Sequence, residues 1–115
     1  MNESEKFTYD EKVLLSVLRW GKKNSTTQKE LVQLTGYMAR HIRRMISALR
    51  HKHCPIVASN NGYYLSDDLE EIESMTNTLS SYIRALLDTR DSMNEIIANP
   101  SYLEDFKALL EEASK

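Results

Sequence analysis

The chain contains few of the residues that interrupt helices or cross-link chains: its 115 residues include three glycines, two prolines and one cysteine. So little glycine and proline argues against a turn-rich all-β fold and favours long helices. Cys54 alone excludes an internal disulfide and a four-cysteine zinc site, and it fits a reducing compartment. No apolar run approaches the roughly 18–20 residues of a membrane span. Residues 1–6 lack a basic segment leading into an apolar one, so we expect no signal peptide and a cytoplasmic location.

Acidic residues are absent from one long stretch, residues 31–66, which carries four arginines, one lysine and all three histidines. Over residues 1–66, Lys and Arg outnumber Asp and Glu by eleven to five, whereas over residues 67–115 the acidic residues outnumber the basic ones by twelve to four. The net charge of −2 thus hides a basic half, which indicates anion binding, and an acidic half that forms a second element. The alternative is two oppositely charged helices on one solvated surface.

Helical spacing predicts three helices in the basic half. The first is capped by Asp10 and ends at Gly21. The second opens with a capping box, in which Thr27 and Glu30 exchange hydrogen bonds, and ends at Gly36. The third covers residues 37–52 and buries an apolar stripe. The members of that stripe are Met38, Ile42, Met45, Ile46 and Leu49, and Arg40, Arg44 and Ser47 lie opposite, with Arg43 at the shoulder.

Two short β-prone runs follow, Ile56–Ala58 and Tyr63–Leu65, separated by a Ser-Asn-Asn-Gly segment. Because Asn61-Gly62 tolerates positive φ at both central turn positions, it predicts a two-residue hairpin. Three helices with a tight glycine turn between the last two, followed by a hairpin, form a winged helix-turn-helix. We therefore expect a mainly α fold with a small β-hairpin, a long C-terminal helix and a short final helix.

The segments Glu30–Gly36 and Gly62–Leu65, with Ile42, Ile46 and Leu49-Arg50 between them, resemble the N-terminal winged-helix domain of the bifunctional biotin-ligase repressors. The resemblance covers about residues 10–66 and no ligase domain, and it departs at Val32, where that pattern has Gly or Ala. The run Pro55–Leu65 is also similar to small winged-helix proteins of phages and mobile elements of Gram-positive bacteria. These resemblances imply DNA binding.

The residue pattern favours the same function. A B-DNA major groove about 12 Å wide admits one helix, and arginine both reads guanine and binds phosphate. We predict a DNA-binding domain over residues 9–66 of a transcriptional regulator. The candidate contacts are Lys22, Lys23, Thr26, Thr27, Lys29, Ala39, Arg40, Arg43, Arg44, Ser47, Asn60 and Asn61. The alternative is a protein-docking module that acts on a replication, host-defence or regulatory protein, since winged helices also bind proteins and a basic face can be plain solvated surface.

Residues 67–115 predict a helical interaction segment. A helix capped by residues 66–68 carries a wide apolar stripe and stops at Asn99-Pro100, and a final helix presents Leu103, Phe106 and Leu110. The stripe either folds back on the small N-terminal domain or meets a second copy, and we favour a homodimer. The proposed dimer residues are Ile72, Met75, Leu79, Tyr82, Ile83, Leu86, Met93 and Ile96.

Catalytic and metal-binding motifs are not apparent. His51, His53 and Cys54 crowd one helix end without zinc-site spacing, so we interpret them as surface histidines and a buried thiol. No third group orients a Cys54–His pair, and no glycine loop could hold a phosphate. We expect a non-enzymatic protein without cofactor or metal.

Overall fold

The computed structural model describes residues 6–115. The expected fold class is confirmed: three α-helices precede one small antiparallel hairpin, and two follow it. The elements are α1 (Tyr9–Val17), a 3₁₀ turn (Lys22–Asn24), α2 (Gln28–Thr35), α3 (Ala39–His51), β1 (Ile56–Ser59), β2 (Gly62–Leu65), α4 (Leu69–Ala98) and α5 (Ser101–Ala113). The chain divides inside α4 into two compact units, one ending at Thr76 and the other beginning at Asn77.

Thr8, not Asp10, caps α1, so the predicted cap is wrong. The Thr8 hydroxyl accepts the Glu11 amide at 3.1 Å, and the Glu11 carboxylate accepts the Thr8 amide at 2.8 Å. The helix also ends at Val17 rather than near Gly21, because Leu18 is extended with ψ 141°. Beyond Leu18 the backbone pairs with β2: the Leu65 amide donates to the Arg19 carbonyl at 2.8 Å, and the Gly21 amide donates to the Leu65 carbonyl at 2.9 Å.

Both ends of α2 lie where the sequence predicted them. Thr27 and Glu30 form the expected capping box, and Gly36 ends α2 in the left-handed conformation with φ 77°. The third helix begins two residues late, at Ala39, because Met38 is extended at the N-cap position. Met38 is 76% exposed, so its predicted burial is wrong. The other four members of the stripe, Ile42, Met45, Ile46 and Leu49, are buried as predicted.

A Schellman motif closes α3. The Cys54 amide donates to the Leu49 carbonyl and the His53 amide to the Arg50 carbonyl, both at 3.0 Å. His53 occupies the position where glycine is usual, with φ 69°, and among the described residues it is the one non-glycine residue with positive φ. The helix therefore ends at His51, one residue before the predicted end.

The hairpin forms with Ser59 opposite Gly62, so the two turn residues are Asn60 and Asn61. The expected Asn61-Gly62 turn is thus one residue out of place. The reason lies in a third backbone segment that the local pattern does not include: Thr26 and Tyr63 exchange two hydrogen bonds of 2.8 and 2.9 Å. A Cβ on Gly62 would overlap the Thr26 carbonyl, so glycine is required where β2 meets this segment.

The core of the first unit lies where α1, α2 and α3 meet the hairpin. Its fully buried apolar side chains are Leu14, Leu31, Ile42, Leu49 and Ile56, and Leu18, Met45, Ile46 and Leu65 complete the cluster. Each such side chain contributes about 1.5–3 kcal/mol through burial. This core fixes which face of α3 points inward, and thereby which face is free.

The start of α4 belongs to the first unit. Glu71 accepts hydrogen bonds from the Tyr64 hydroxyl at 2.6 Å and the Ser66 hydroxyl at 2.9 Å, which ties the first helical turn to β2. The Asp68 carboxylate accepts the Glu70 amide at 2.9 Å, as expected of a residue that caps the helix. The predicted stop at Asn99-Pro100 is confirmed, and α5 begins directly after it.

Candidate nucleic-acid interface

The solvent face of α3 carries four of the predicted contact residues. Arg40, Arg43, Arg44 and Ser47 are all exposed, while the opposite stripe is buried in the core. At about 100° per residue, Arg44 and Ser47 lie within about 40° of Arg40, and Arg43 lies about 60° away. The structure therefore places three guanidinium groups on one side of a single helix. Ala39 is partly buried beside them, at the first position of the helix.

The N-terminus of α3 adds positive potential to this face. Its first turn holds no acidic residue, and Met38 makes no capping hydrogen bond through its side chain. The first intrahelical bond runs from the Ile42 amide to the Met38 carbonyl, so the amides of Ala39, Arg40 and His41 are the free donors of this helix end. Such an end favours an anion.

A side-chain cluster fixes the first turn of α3 to α1. The Asp10 carboxylate accepts the Tyr37 hydroxyl at 2.8 Å and lies 2.9 Å from the His41 ring, whose plane is edge-on to Tyr37. The hydrogen bonds from His41 and Tyr37 lower the pKa of Asp10. The same hydrogen bond to Asp10 raises the pKa of Tyr37 to about 12. The Asp10 carboxylate is thus held by Tyr37 and His41 on the α1 side of this helix end.

Three lysines lie on exposed positions before and within α2. Lys22 and Lys23 occupy the 3₁₀ turn, and Lys29 lies in the first turn of α2. Thr27 is occupied as the helix cap: its amide and hydroxyl both donate to the Glu30 carboxylate, at 3.1 and 3.0 Å. An incoming phosphate would compete with that carboxylate at this amide.

Thr26 is set apart from the other predicted contact residues. It is fully buried, and its amide and carbonyl are both paired with Tyr63. Its hydroxyl has no hydrogen-bond partner among residues 6–115. Thr26 is therefore a buried backbone partner of β2, and we leave it out of the proposed surface.

The tip of the hairpin presents Asn60 and Asn61, both exposed. The Asn61 amide donates to the Ser59 hydroxyl at 3.2 Å, which holds the turn. No lysine or arginine lies between Ile56 and Leu65. This wing can offer amide side chains to a partner but no charge.

Sequence reasoning missed Trp20 as a surface feature. The indole is 56% exposed and directly precedes Gly21 and the two lysines of the 3₁₀ turn. Its backbone forms a parallel β-bridge with Leu65 of β2, and its carbonyl accepts a hydrogen bond from the Asn24 side-chain amide at 2.8 Å. An aromatic residue directly before Gly-Lys-Lys indicates an exposed aromatic side chain beside two cations. The prediction missed it because it extended the first helix to Gly21 and so placed Trp20 inside that helix.

The predicted dimer residues divide between the two units. Ile72 and Met75 are partly buried in the first unit. In the second unit Leu79 is 41% exposed, and Ile96 is partly buried. The others are more open: Tyr82 62%, Ile83 58%, Leu86 70% and Met93 57%. On α5 the expected stripe of Leu103, Phe106 and Leu110 is exposed by 47–59%.

The remaining candidates from the sequence are the histidines and Cys54. His51 is exposed on α3, and burial raises the pKa of the Cys54 thiol. Within the described residues, no group of three His, Cys, Asp or Glu side chains is arranged to hold a metal ion. Across residues 6–115, none of the helices has both the length and the apolar content needed to cross a bilayer.

No protein-family model matches this chain, and neither curated proteins nor solved structures give a match.

Proposed function

We propose that this protein is a cytoplasmic, non-enzymatic regulator that binds double-stranded DNA through α3, as a homodimer. The observation that carries the proposal is the exposed face of Arg40, Arg43, Arg44 and Ser47, on a helix without an acidic residue. The sequence resemblance favours a role as a transcriptional regulator of the kind found in phages and mobile elements. Lys22, Lys23 and Lys29 supply phosphate contacts beside the groove.

The chemistry of the face suits a major groove. Arginine can hydrogen-bond guanine through two donors, serine can donate to or accept from a base edge, and the exposed Met38 and partly buried Ala39 offer apolar contact to a thymine methyl group. The free amides at the start of α3 can hold a phosphate. Base contacts on the same face as phosphate contacts favour preference among sequences rather than uniform binding.

The first test compares two double variants that remove the same charge. Arg40→Ala/Arg44→Ala should weaken binding to duplex DNA by about tenfold or more, because each arginine that reads a base contributes about 1–3 kcal/mol. Lys12→Ala/Arg84→Ala removes two exposed cations outside the proposed surface and should bind as the wild type does. Fluorescence anisotropy measures both variants on a labelled duplex that the wild-type protein has selected from a random pool. Equal affinity of the two variants, both folded by circular dichroism, would overturn the assignment of α3.

The homodimer rests on a different observation. The second unit exposes large apolar side chains along both of its helices, among them Ile97 at 77% and Leu109 at 69%. Monomeric soluble proteins rarely leave a large apolar patch in water, so this number of exposed apolar side chains calls for a partner. A second copy offers the same face, and two-fold pairing would place two α3 helices on one side of the duplex. The DNA site should then be an inverted repeat with half-sites one helical turn, or a multiple, apart.

A second candidate function is protein docking through the acidic half. The exposed apolar residues of α5, including Phe106 at 58%, lie beside Glu104, Asp105, Glu111 and Glu112. An apolar stripe bordered by carboxylates suits a partner with a basic, amphipathic surface. Docking alone gives no role to the arginines of α3, and for that reason DNA binding is the first proposal.

A further inference from the structure

An open cavity of about 260 Å³ lies in the first unit, between the end of α3 and the first two turns of α4. Its apolar wall is formed by Pro55, Val57, Ile72 and Met75. Arg50, His53 and Cys54 complete the lining. The cavity is therefore mostly apolar with two nitrogen-bearing side chains in its lining, which is the usual composition of a small-molecule site.

Arg50 is fixed in this cavity by one of its nitrogens. Its Nε donates to the Ile56 carbonyl at 2.9 Å, which leaves both terminal nitrogens without a hydrogen-bond partner within residues 6–115. The side chain is partly buried, and burial lowers the pKa of the guanidinium. No carboxylate of the described residues forms an ion pair with it. A partly buried guanidinium without a counter-charge carries a desolvation cost that a bound anion would offset.

His53 lines the same cavity from a strained backbone position. Its φ of 69° is one that glycine adopts without cost, and it closes α3 where glycine is usual. Residues held in such strained backbone conformations cluster at functional sites such as ligand clamps. Here the imidazole adds a second hydrogen-bond donor beside the Arg50 guanidinium.

We propose that this cavity binds a small apolar carboxylate, with the carboxylate on Arg50 and His53 and the apolar part against Val57, Ile72 and Met75. Arginine binds a carboxylate through two parallel hydrogen bonds, and its free terminal nitrogens suit that geometry. A volume slightly below the usual 300–1,000 Å³ of ligand pockets limits the ligand to about one aromatic ring or a short branched chain.

The cavity lies between two helices that matter for the proposed function. Arg50 lies in the last turn of α3, the same helix that carries Arg40 and Arg44, while Ile72 and Met75 belong to α4. A molecule held between them contacts both the proposed recognition helix and the helix that leads to the second unit. Ligand binding itself does not depend on DNA binding, so the two proposals can fail separately.

The test measures thermal unfolding and binding heat of the full chain with benzoate, phenylacetate and 3-methylbutanoate. At ten times its dissociation constant, a carboxylate that fits should raise Tm by about 5 °C. Benzamide and phenylacetamide are the matched controls, because they keep the shape and lose the charge. They should give little or no shift.

Two variants check the location. Arg50→Gln should abolish the carboxylate-specific shift, and Met75→Trp should abolish it by filling the cavity while Arg50 stays in place. Arg84→Gln removes an exposed arginine elsewhere and should respond as the wild type does. The proposal is overturned if none of the three acids at 10 mM changes Tm or gives heat, if the amides act equally, or if a folded Met75→Trp variant still binds.

Discussion

At the scale of single residues, the ion pair between Glu11 and Lys52 joins the start of α1 to the end of α3. The Lys52 ammonium lies 2.6 Å from the Glu11 carboxylate, whose side chain is 5% exposed. Burial raises the pKa of Glu11, but the Lys52 ammonium and the Thr8 amide outweigh it and hold the pKa below its ordinary value of 4.5. These partners stabilise the ionised form in the folded state.

Glu11→Gln should lower the free energy of unfolding by about 2 kcal/mol at pH 7, because it removes charge-assisted hydrogen bonds to a buried group. Since the folded pKa is depressed, this stabilisation is present above pH 4.5 and is lost as the pH falls through the lower folded value. Urea unfolding at pH 7 and near pH 3 measures the difference. The exposed Glu95→Gln is the control and should be neutral. An equal loss at both pH values would contradict this role of the charge.

At the scale of elements, local patterns predicted most of the first unit. Helical spacing identified the buried residues of α3, and the Thr27–Glu30 pair identified the start of α2. Met38 fits the same spacing and yet is exposed, since it precedes the helix. Spacing indicates the face of a helix but not where the helix begins.

The hairpin shows why the rest could not be predicted locally. Its turn is displaced because β2 pairs with Thr26, a residue 37 positions before Tyr63. The cavity beside Arg50 likewise joins residues from α3, β1 and α4. Contacts between such distant residues leave no periodic signal in the sequence.

Gly62→Ala should destabilise the protein more than Gly36→Ala. Both glycines have positive φ, 119° and 77°, so both substitutions carry backbone strain of about 1 kcal/mol. The added methyl group meets open space at Gly36 but overlaps the Thr26 carbonyl at Gly62. We expect a loss above about 2 kcal/mol for Gly62→Ala in urea unfolding. Comparable losses for the two variants would show that the close approach of β2 to Thr26 is wrong.

At the scale of the whole molecule, the basic and acidic halves expose different chemistry. The first unit has a single buried core and a cationic helix face, whereas the second exposes apolar side chains that a compact protein would bury. The sequence predicted this division of composition, but the apolar stripe of α4 left open whether one copy or two would cover it. The dimer stays a prediction.

Leu79→Asp and Leu86→Asp should each shift the protein from dimer to monomer, because a charge in the centre of the proposed interface would have to be buried. Asn77→Asp adds the same charge at an exposed polar position of α4 and should leave the dimer intact. Sedimentation equilibrium at micromolar concentration measures the mass. A wild-type mass near the chain mass of 13.3 kDa would rule out the homodimer and, with it, the inverted-repeat site.

The most direct test of the proposed DNA binding is the salt dependence of the wild-type affinity for duplex DNA. If Lys22, Lys23, Lys29 and the α3 arginines make phosphate contacts, log K should fall linearly with log[salt], with a slope of about −0.9 for each phosphate neutralised. A slope of about −3.6 or steeper, measured by anisotropy between 50 and 200 mM salt, is the predicted result for four or more contacts. No measurable affinity at 50 mM salt would contradict the account.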